Sequence, residues 1–158
     1  MEQTYVDIMI QSLKKKIKVL EEIKRVNVVQ KGLLEDDKAD ADDFDVTVEA
    51  KSKLIEQLEQ LDSGFDKLFE RVRDELQANK SAYGEQIKTM QTCIRQITDL
   101  SMEIQSQEAK NKDLMTQKFV SVRQKAKVVR TNSKAASQYY KNMMQLNVVD
   151  PQFMDRQK

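Results

Sequence analysis

The chain has 158 residues, of which 27 are Lys or Arg and 26 are Asp or Glu, so its formal net charge is only +1. Three Gly and one Pro leave few residues for turns, and this scarcity favours a small number of long helices. The chain has no His and a single Cys. This composition argues against His-based catalysis, His-ligated metals and a disulfide framework, so we expect neither an enzyme nor a cofactor.

The apolar runs are short. The longest, Ile8-Met9-Ile10, is far below the roughly 18 residues that a membrane-spanning helix needs. The first residues do not combine a basic region with an apolar region, as a secretory signal peptide would. We therefore expect a cytoplasmic protein that does not insert into a membrane.

The first predicted helix is amphipathic. Its apolar residues follow steps of four and three along the chain, which is the spacing of one helix face. The residues of this stripe are Val6, Ile10, Leu13, Ile17 and Leu20. The pattern predicts a helix of about 25–30 residues, with Gly32 as a plausible stop signal.

An acidic segment, residues 35–45, follows with seven acids in eleven residues. It does not fit a calcium-binding EF-hand loop. In the register that starts at Asp36, Ala41 replaces the required Gly and Thr47 replaces the final Glu. We therefore expect a solvated connection whose last Asp residues cap the next helix.

A second helix is predicted by the most regular apolar stripe of the chain. Its members are Lys51, Leu54, Leu58, Leu61, Phe65, Leu68 and Val72. The stripe lapses over 78–82, and the favourable N-cap residue Ser81 indicates a turn near 79–81. Because Leu76, Asn79 and Tyr83 keep the register, one unbroken helix is the alternative.

The third predicted helix runs from about Tyr83 to about 131–133. Its stripe contains polar residues, including Glu108 and Asn111, between apolar ones. Polar residues in such a seam commonly set the register of packed helices. An opening of the bundle at this point, which would expose a binding groove, is the other interpretation.

Cys93 lies one residue from the apolar stripe of the third helix. A catalytic thiolate needs a neighbouring base or an electropositive pocket, and this chain has no His to serve as the base. The position favours a partly buried structural thiol.

These patterns predict an all-α fold. We expect an elongated antiparallel three-helix bundle, or a long helical hairpin, with coiled-coil packing over residues 1–135. Sustained heptads also allow self-association. Residues 136–158 differ in composition, with Tyr and Met side chains that have no evident core to enter, and they predict a flexible C-terminal tail that binds a partner.

Basic residues dominate the stretch 114–149, which has seven Lys or Arg and no acid. Such a stretch can attract an acidic partner, nucleic acid or a membrane surface. It can equally be a solvated helix face that complements the acidic connection. The near-neutral chain and the few aromatic residues favour a protein that does not bind nucleic acid.

Three parts of the chain carry a resemblance to a known family. Leu33-Leu34, the acidic gap and Lys51-Ser52-Lys53-Leu54-Ile55-Glu56-Gln57-Leu58 resemble the first helical hairpin of FlgN-like flagellar export chaperones. Asn111-Lys112-Asp113-Leu114-Met115 is similar to the family's Asn-x-x-Leu-aliphatic segment, except that Lys112 replaces a usual small residue. The tail through Tyr139-Tyr140-Lys141-Asn142-Met143 also resembles that of family members.

The resemblance implies a cytoplasmic chaperone of the flagellar type III export system. Its partners would be the hook–filament junction proteins, whose helical termini it would bind, and the export gate. The implied gate-docking residues are Tyr139 and Tyr140. The implied client-binding residues are Val122, Val129, Met143, Met144 and Leu146. The competing hypothesis is a structural coiled-coil protein that self-associates and has no client.

Overall fold

The computed structural model describes the backbone of residues 2–118 and the side chains from Thr4 onward. It contains three helices: α1 (Glu2–Glu35), α2 (Ala41–Ala78) and α3 (Gly84–Lys118). No strand occurs among these residues, and the all-α prediction is confirmed. The predicted end of the third helix and the predicted boundary between residues 1–135 and 136–158 lie outside the described residues.

α1 is longer than predicted, because it continues through Gly32 to Glu35. Tertiary contacts explain the extension. Leu34 is buried in a cluster with Phe44 of α2 and Met115 of α3, and the Lys118 ammonium donates to the Leu33 carbonyl at 3.1 Å. These contacts stabilise the last turn of α1 and offset the cost of a helical glycine, about 1 kcal/mol relative to Ala.

The acidic connection behaves as predicted. The Asp40 side chain accepts from the Asp42 amide at 3.2 Å and is the N-cap of α2. Asp42 and Asp43 lie in the first turn, where their charges complement the helix dipole. The Asp36 carboxylate accepts from the Lys38 amide at 2.9 Å and shapes the turn before the cap.

The predicted break between the second and third helices is also confirmed. The Asn79 amide donates to the Glu75 carbonyl at 3.0 Å and closes α2. Ser81 lies within the turn and is not the N-cap that the sequence predicted. The hydrogen bonds of α3 begin one turn later, with the Ile87 amide donating to the Tyr83 carbonyl at 2.9 Å, because burial of the Tyr83 side chain anchors that position in the core.

α1 is the central helix of the bundle. It packs along both α2 and α3, whereas no Cα of α2 lies within 8 Å of a Cα of α3. α2 runs antiparallel to α1, as the pairing of Tyr5 with Arg71 and of Ser12 with Leu61 indicates. α1 and α3 run parallel, as the pairing of Lys24 with Gln107 and of Leu33 with Lys118 indicates.

Two hydrophobic clusters form the interior. The larger one joins all three helices, and its fully covered side chains include Met9, Leu20, Ile23, Leu58, Met90 and Ile104. The smaller one, around Leu34, Phe44 and Met115, lies at the end of the bundle beside the acidic connection. A layer of buried polar side chains lies between the two clusters and is described next.

Candidate functional site

The predicted client-binding and gate-docking residues all lie beyond Lys118 and therefore outside the described residues. The Lys118 ammonium donates to the carbonyls of Leu33 and Asp36. The last described turn of α3 is thus bonded to backbone carbonyls at the end of α1 and at the start of the acidic connection.

A buried polar layer crosses the bundle near this end and includes the ion pair between Lys51 and Glu108. Glu108 is only 4% exposed. The Lys51 ammonium contacts a carboxylate oxygen of Glu108 and donates to the side-chain oxygen of Gln30 at 3.1 Å. Burial lowers the pKa of Lys51, and the neighbouring Glu108 carboxylate opposes that shift. This pair joins α2 to α3, whose backbones are otherwise apart.

Amide side chains complete the layer between α1 and α3. Asn111 donates to the Asn27 carbonyl at 3.0 Å, and Gln107 donates to the Lys24 carbonyl at 3.2 Å. The Asn27 amide in turn donates to the Gln107 side-chain oxygen at 3.2 Å. Because Asn27 is only 1% exposed, these bonds are made away from water and align the two helices in one register.

This geometry supports the register interpretation of the polar seam. Glu108 and Asn111 are both buried and bonded to other helices, so they do not line an open groove. Lys112, the departure from the family pattern, is exposed and leaves the Asn111 contact intact. Sequence reasoning missed Asn27 and Gln30. Extending the α1 stripe by further steps of three and four would have reached both positions.

Two grooves flank α1 on its outer sides. One, of about 430 Å³, lies between α1 and α2. It is lined by Lys15, Lys18, Val19, Gln57, Gln60 and Leu61. The other, of about 520 Å³, lies between α1 and α3. It is lined by Glu21, Lys24, Arg25, Val28, Gln96, Asp99 and Leu100. The described bundle therefore presents grooves of a size that side chains of a partner helix can enter.

Cys93 is buried in the larger hydrophobic cluster. This position agrees with the prediction of a structural thiol. Burial raises the pKa of its thiol, which disfavours the nucleophilic thiolate. Within residues 2–118, no group of three or more Cys, Asp and Glu side chains is placed to hold a metal ion. No helix in this part of the chain is long and apolar enough to cross a membrane.

Comparison with known proteins identifies the family. No curated protein and no solved structure gives a significant match to the chain. A family model described as "FlgN protein" matches residues 1–147. The match covers the whole described bundle and continues through the predicted site residues. The chain therefore belongs to the FlgN family of flagellar export chaperones.

Proposed function

We propose that this protein is a cytoplasmic chaperone that binds the helical termini of hook–filament junction proteins and delivers them to the type III export gate. The family match over residues 1–147 is the observation that carries the proposal. Membership gives the general role in flagellar export, and the client and the delivery step are the proposed additions.

The distribution of apolar residues supports a client site after α3. The stripes of α1, α2 and α3 pack on one another in the two clusters. Val122, Val129 and Met143 follow Met115 in the sequence at multiples of seven residues. Met144 and Leu146 lie next to this row in the sequence. Met side chains adapt to varied apolar surfaces, and an amphipathic client helix is a suitable ligand for such a row.

Deletion of residues 136–158 tests the client assignment. We expect the shortened chain to keep the helical circular dichroism signal and to lose co-purification with junction proteins. The matched control replaces Lys88 and Arg95, which are exposed on α3, and should retain both properties. Unchanged client binding after the deletion would remove residues 143–146 from the proposed site.

The gate-docking assignment needs a separate test, since Tyr139 and Tyr140 precede the proposed apolar contacts. We expect Tyr139→Ala/Tyr140→Ala to keep the junction protein bound and to abolish capture by the immobilised soluble part of the export gate. Tyr→Phe at both positions separates ring packing from hydroxyl hydrogen bonding. Retained gate capture by the Ala variant would contradict the assignment.

The same preparations test the competing hypothesis. A chain that binds no junction protein and forms a stable dimer by light scattering would be the structural coiled coil that the sequence also allowed. A monomer that forms a defined complex with a junction protein supports the chaperone.

A further inference from the structure

The outer groove between α1 and α2 has an apolar floor that the described bundle leaves partly open. Val19 of α1 and Leu61 of α2 line it, and both are only half-buried. Leu54 and Leu68 lie seven residues before and after Leu61, and they are half-buried as well. A row of leucines thus follows the α1 side of α2 without being fully covered.

Exposed apolar side chains lie in the same rows as the rim residues, toward both ends of the groove. Ile8 and Val29 are each 43% exposed, and both are multiples of seven residues from Lys15, which lines the groove. On α2, Val46 is 68% exposed and lies fourteen residues before Gln60, another lining residue. The α1 row from Ile8 to Val29 spans about 32 Å at 1.5 Å per helical residue.

The rim of the groove is basic. Lys15 and Lys18 are exposed on its α1 side. On α2, Arg71 lies over the Tyr5 ring, 5.2 Å from its centre, which places it on the α1 side of the helix. Positions at multiples of seven residues from Gln60 or from Arg71 lie on the same flank of α2, and those between 46 and 71 include no Asp or Glu. They are Val46, Ala50, Lys53, Gln57, Gln60, Gly64, Lys67 and Arg71.

A single acid interrupts the corresponding α1 row, and it is neutralised locally. Glu22 shares the seven-residue spacing of Ile8 and Lys15, but its carboxylate is paired with Arg25 on the same helix. On α2, the Lys53 ammonium is likewise paired with the Glu49 carboxylate, at 3.9 Å. Lys15 and Lys18 on α1, together with Lys67 and Arg71 on α2, still leave net positive charge on both sides of the apolar floor.

We propose that this groove binds an amphipathic helix of the export client whose apolar stripe is bordered by acidic side chains. The inference rests on the proposed function and adds a second client surface. Charge selects the occupant, because residues 119–149 of this chain carry only basic charge and would be repelled by the same rim. The α1 row from Ile8 to Val29 has the length of about six turns of helix.

Two synthetic 21-residue helices test this binding directly. They share one leucine stripe and differ only in their flanking residues, which are Glu in one peptide and Lys in the other. Fluorescence anisotropy with the full chain should show that the Glu peptide binds about tenfold more tightly than the Lys peptide. This preference should shrink as salt is raised. Equal affinity for the two peptides would overturn the proposal.

Charge reversal in the protein locates the site. Lys15→Glu/Lys18→Glu should remove the preference for the Glu peptide, while the control Lys88→Glu/Arg95→Glu should keep it. Both pairs are exposed, so each variant is expected to fold, which circular dichroism checks. An unchanged preference in the Lys15→Glu/Lys18→Glu variant, or a concentration-dependent dimer that blocks the peptide, would contradict the assignment of the groove.

Measuring the binding of junction proteins distinguishes a failure of this inference from a failure of the proposed function. Junction-protein binding that is equal in the wild-type chain and the Lys15→Glu/Lys18→Glu variant would disprove the groove as a client surface and leave the chaperone proposal standing. If the Glu peptide binds at the groove while no junction protein binds the chain, the proposed client is wrong and the groove's preference for acid-flanked helices is supported.

Discussion

At the residue scale, the ion pair between Lys51 and Glu108 has the largest energetic consequence. Two charges removed from water are tolerated only because each faces the other and Gln30 supplies a further hydrogen bond. Such a pair adds little net stability compared with apolar residues of similar size. Removing only one of the two charged side chains is costly, because the other charge then stays buried without its partner.

This reasoning predicts an asymmetric result from substitution. Lys51→Met should lower the free energy of unfolding by about 3–5 kcal/mol, because it leaves the Glu108 carboxylate buried without its cation. The double variant Lys51→Met/Glu108→Leu should recover most of that loss. Urea denaturation followed by circular dichroism measures both, and a double variant as unstable as the single one would contradict the argument.

Asp66 gives a prediction about pH. Partial burial raises its pKa, and the carboxylates of Asp62 and Glu70 add to this effect while Lys16 opposes it. Because the pKa of the folded state lies above that of the unfolded state, protonated Asp66 favours folding. That contribution is present at low pH and is lost as the pH rises through the folded-state pKa.

We therefore expect Asp66→Asn to raise the melting temperature slightly at pH 7 and to have no effect near pH 3, where Asp66 is protonated in both states. The control is Asp74→Asn, at an exposed position of α2 outside this cluster. It should change the difference in melting temperature between pH 3 and pH 7 less than Asp66→Asn does. Thermal melts at both pH values provide the measurement. A stabilisation that is equal at pH 3 and pH 7 would rule out the electrostatic cause.

At the element scale, Gly64 lowers the stability of α2. Gly64 lies inside the helix and is exposed, and an added Cβ would meet no atom within 4 Å. Glycine costs backbone entropy in a helix interior and contributes no side chain to packing. The helix persists through this position because Leu58 and Phe65 are buried on either side.

Gly64→Ala should raise the free energy of unfolding by about 0.5–1 kcal/mol. Gly32→Ala is a matched comparison, since Gly32 also has open space around it but lies in the last turn of α1. A smaller gain is expected there, because helix ends fray. Chemical denaturation compares the two, and a loss of stability in Gly64→Ala would show that the groove beside it requires the glycine.

At the scale of the whole molecule, α1 organises the fold. Both other helices pack on it, and the polar layer ties them to it at one end. Residues 2–118 already contain two hydrophobic clusters and the buried polar layer. The bundle thus has its own core, as an independently folding unit requires.

A fragment of residues 1–118 should therefore fold by itself and melt cooperatively within a few degrees of the full chain. Circular dichroism and differential scanning calorimetry measure helix content and cooperativity. A fragment that is unfolded, or that melts without cooperativity, would show that residues 119–158 complete the core. A monomeric folded fragment would also allow peptide binding to the groove to be measured without the tail.

Local patterns were sufficient for much of the fold. Apolar spacing predicted all three helices, and the acidic run predicted the Asp40 cap, because both signals act within one or two helical turns. Ser81 failed as a predicted cap because burial of Tyr83 moved the start of α3. The client and gate residues predicted from the family resemblance lie outside the described residues and stay predictions.

The sequence by itself determined the all-α class, the acidic connection after the first helix and the segregation of acidic residues at 35–45 from basic residues at 114–149. These properties follow from the composition and from neighbours in the chain. Tertiary structure decided that α1 is central, that Lys51 meets Glu108, and that Val19 and Leu61 share a basic-rimmed groove. Those pairings join residues tens of positions apart, and only the packing of the helices sets which of their faces meet.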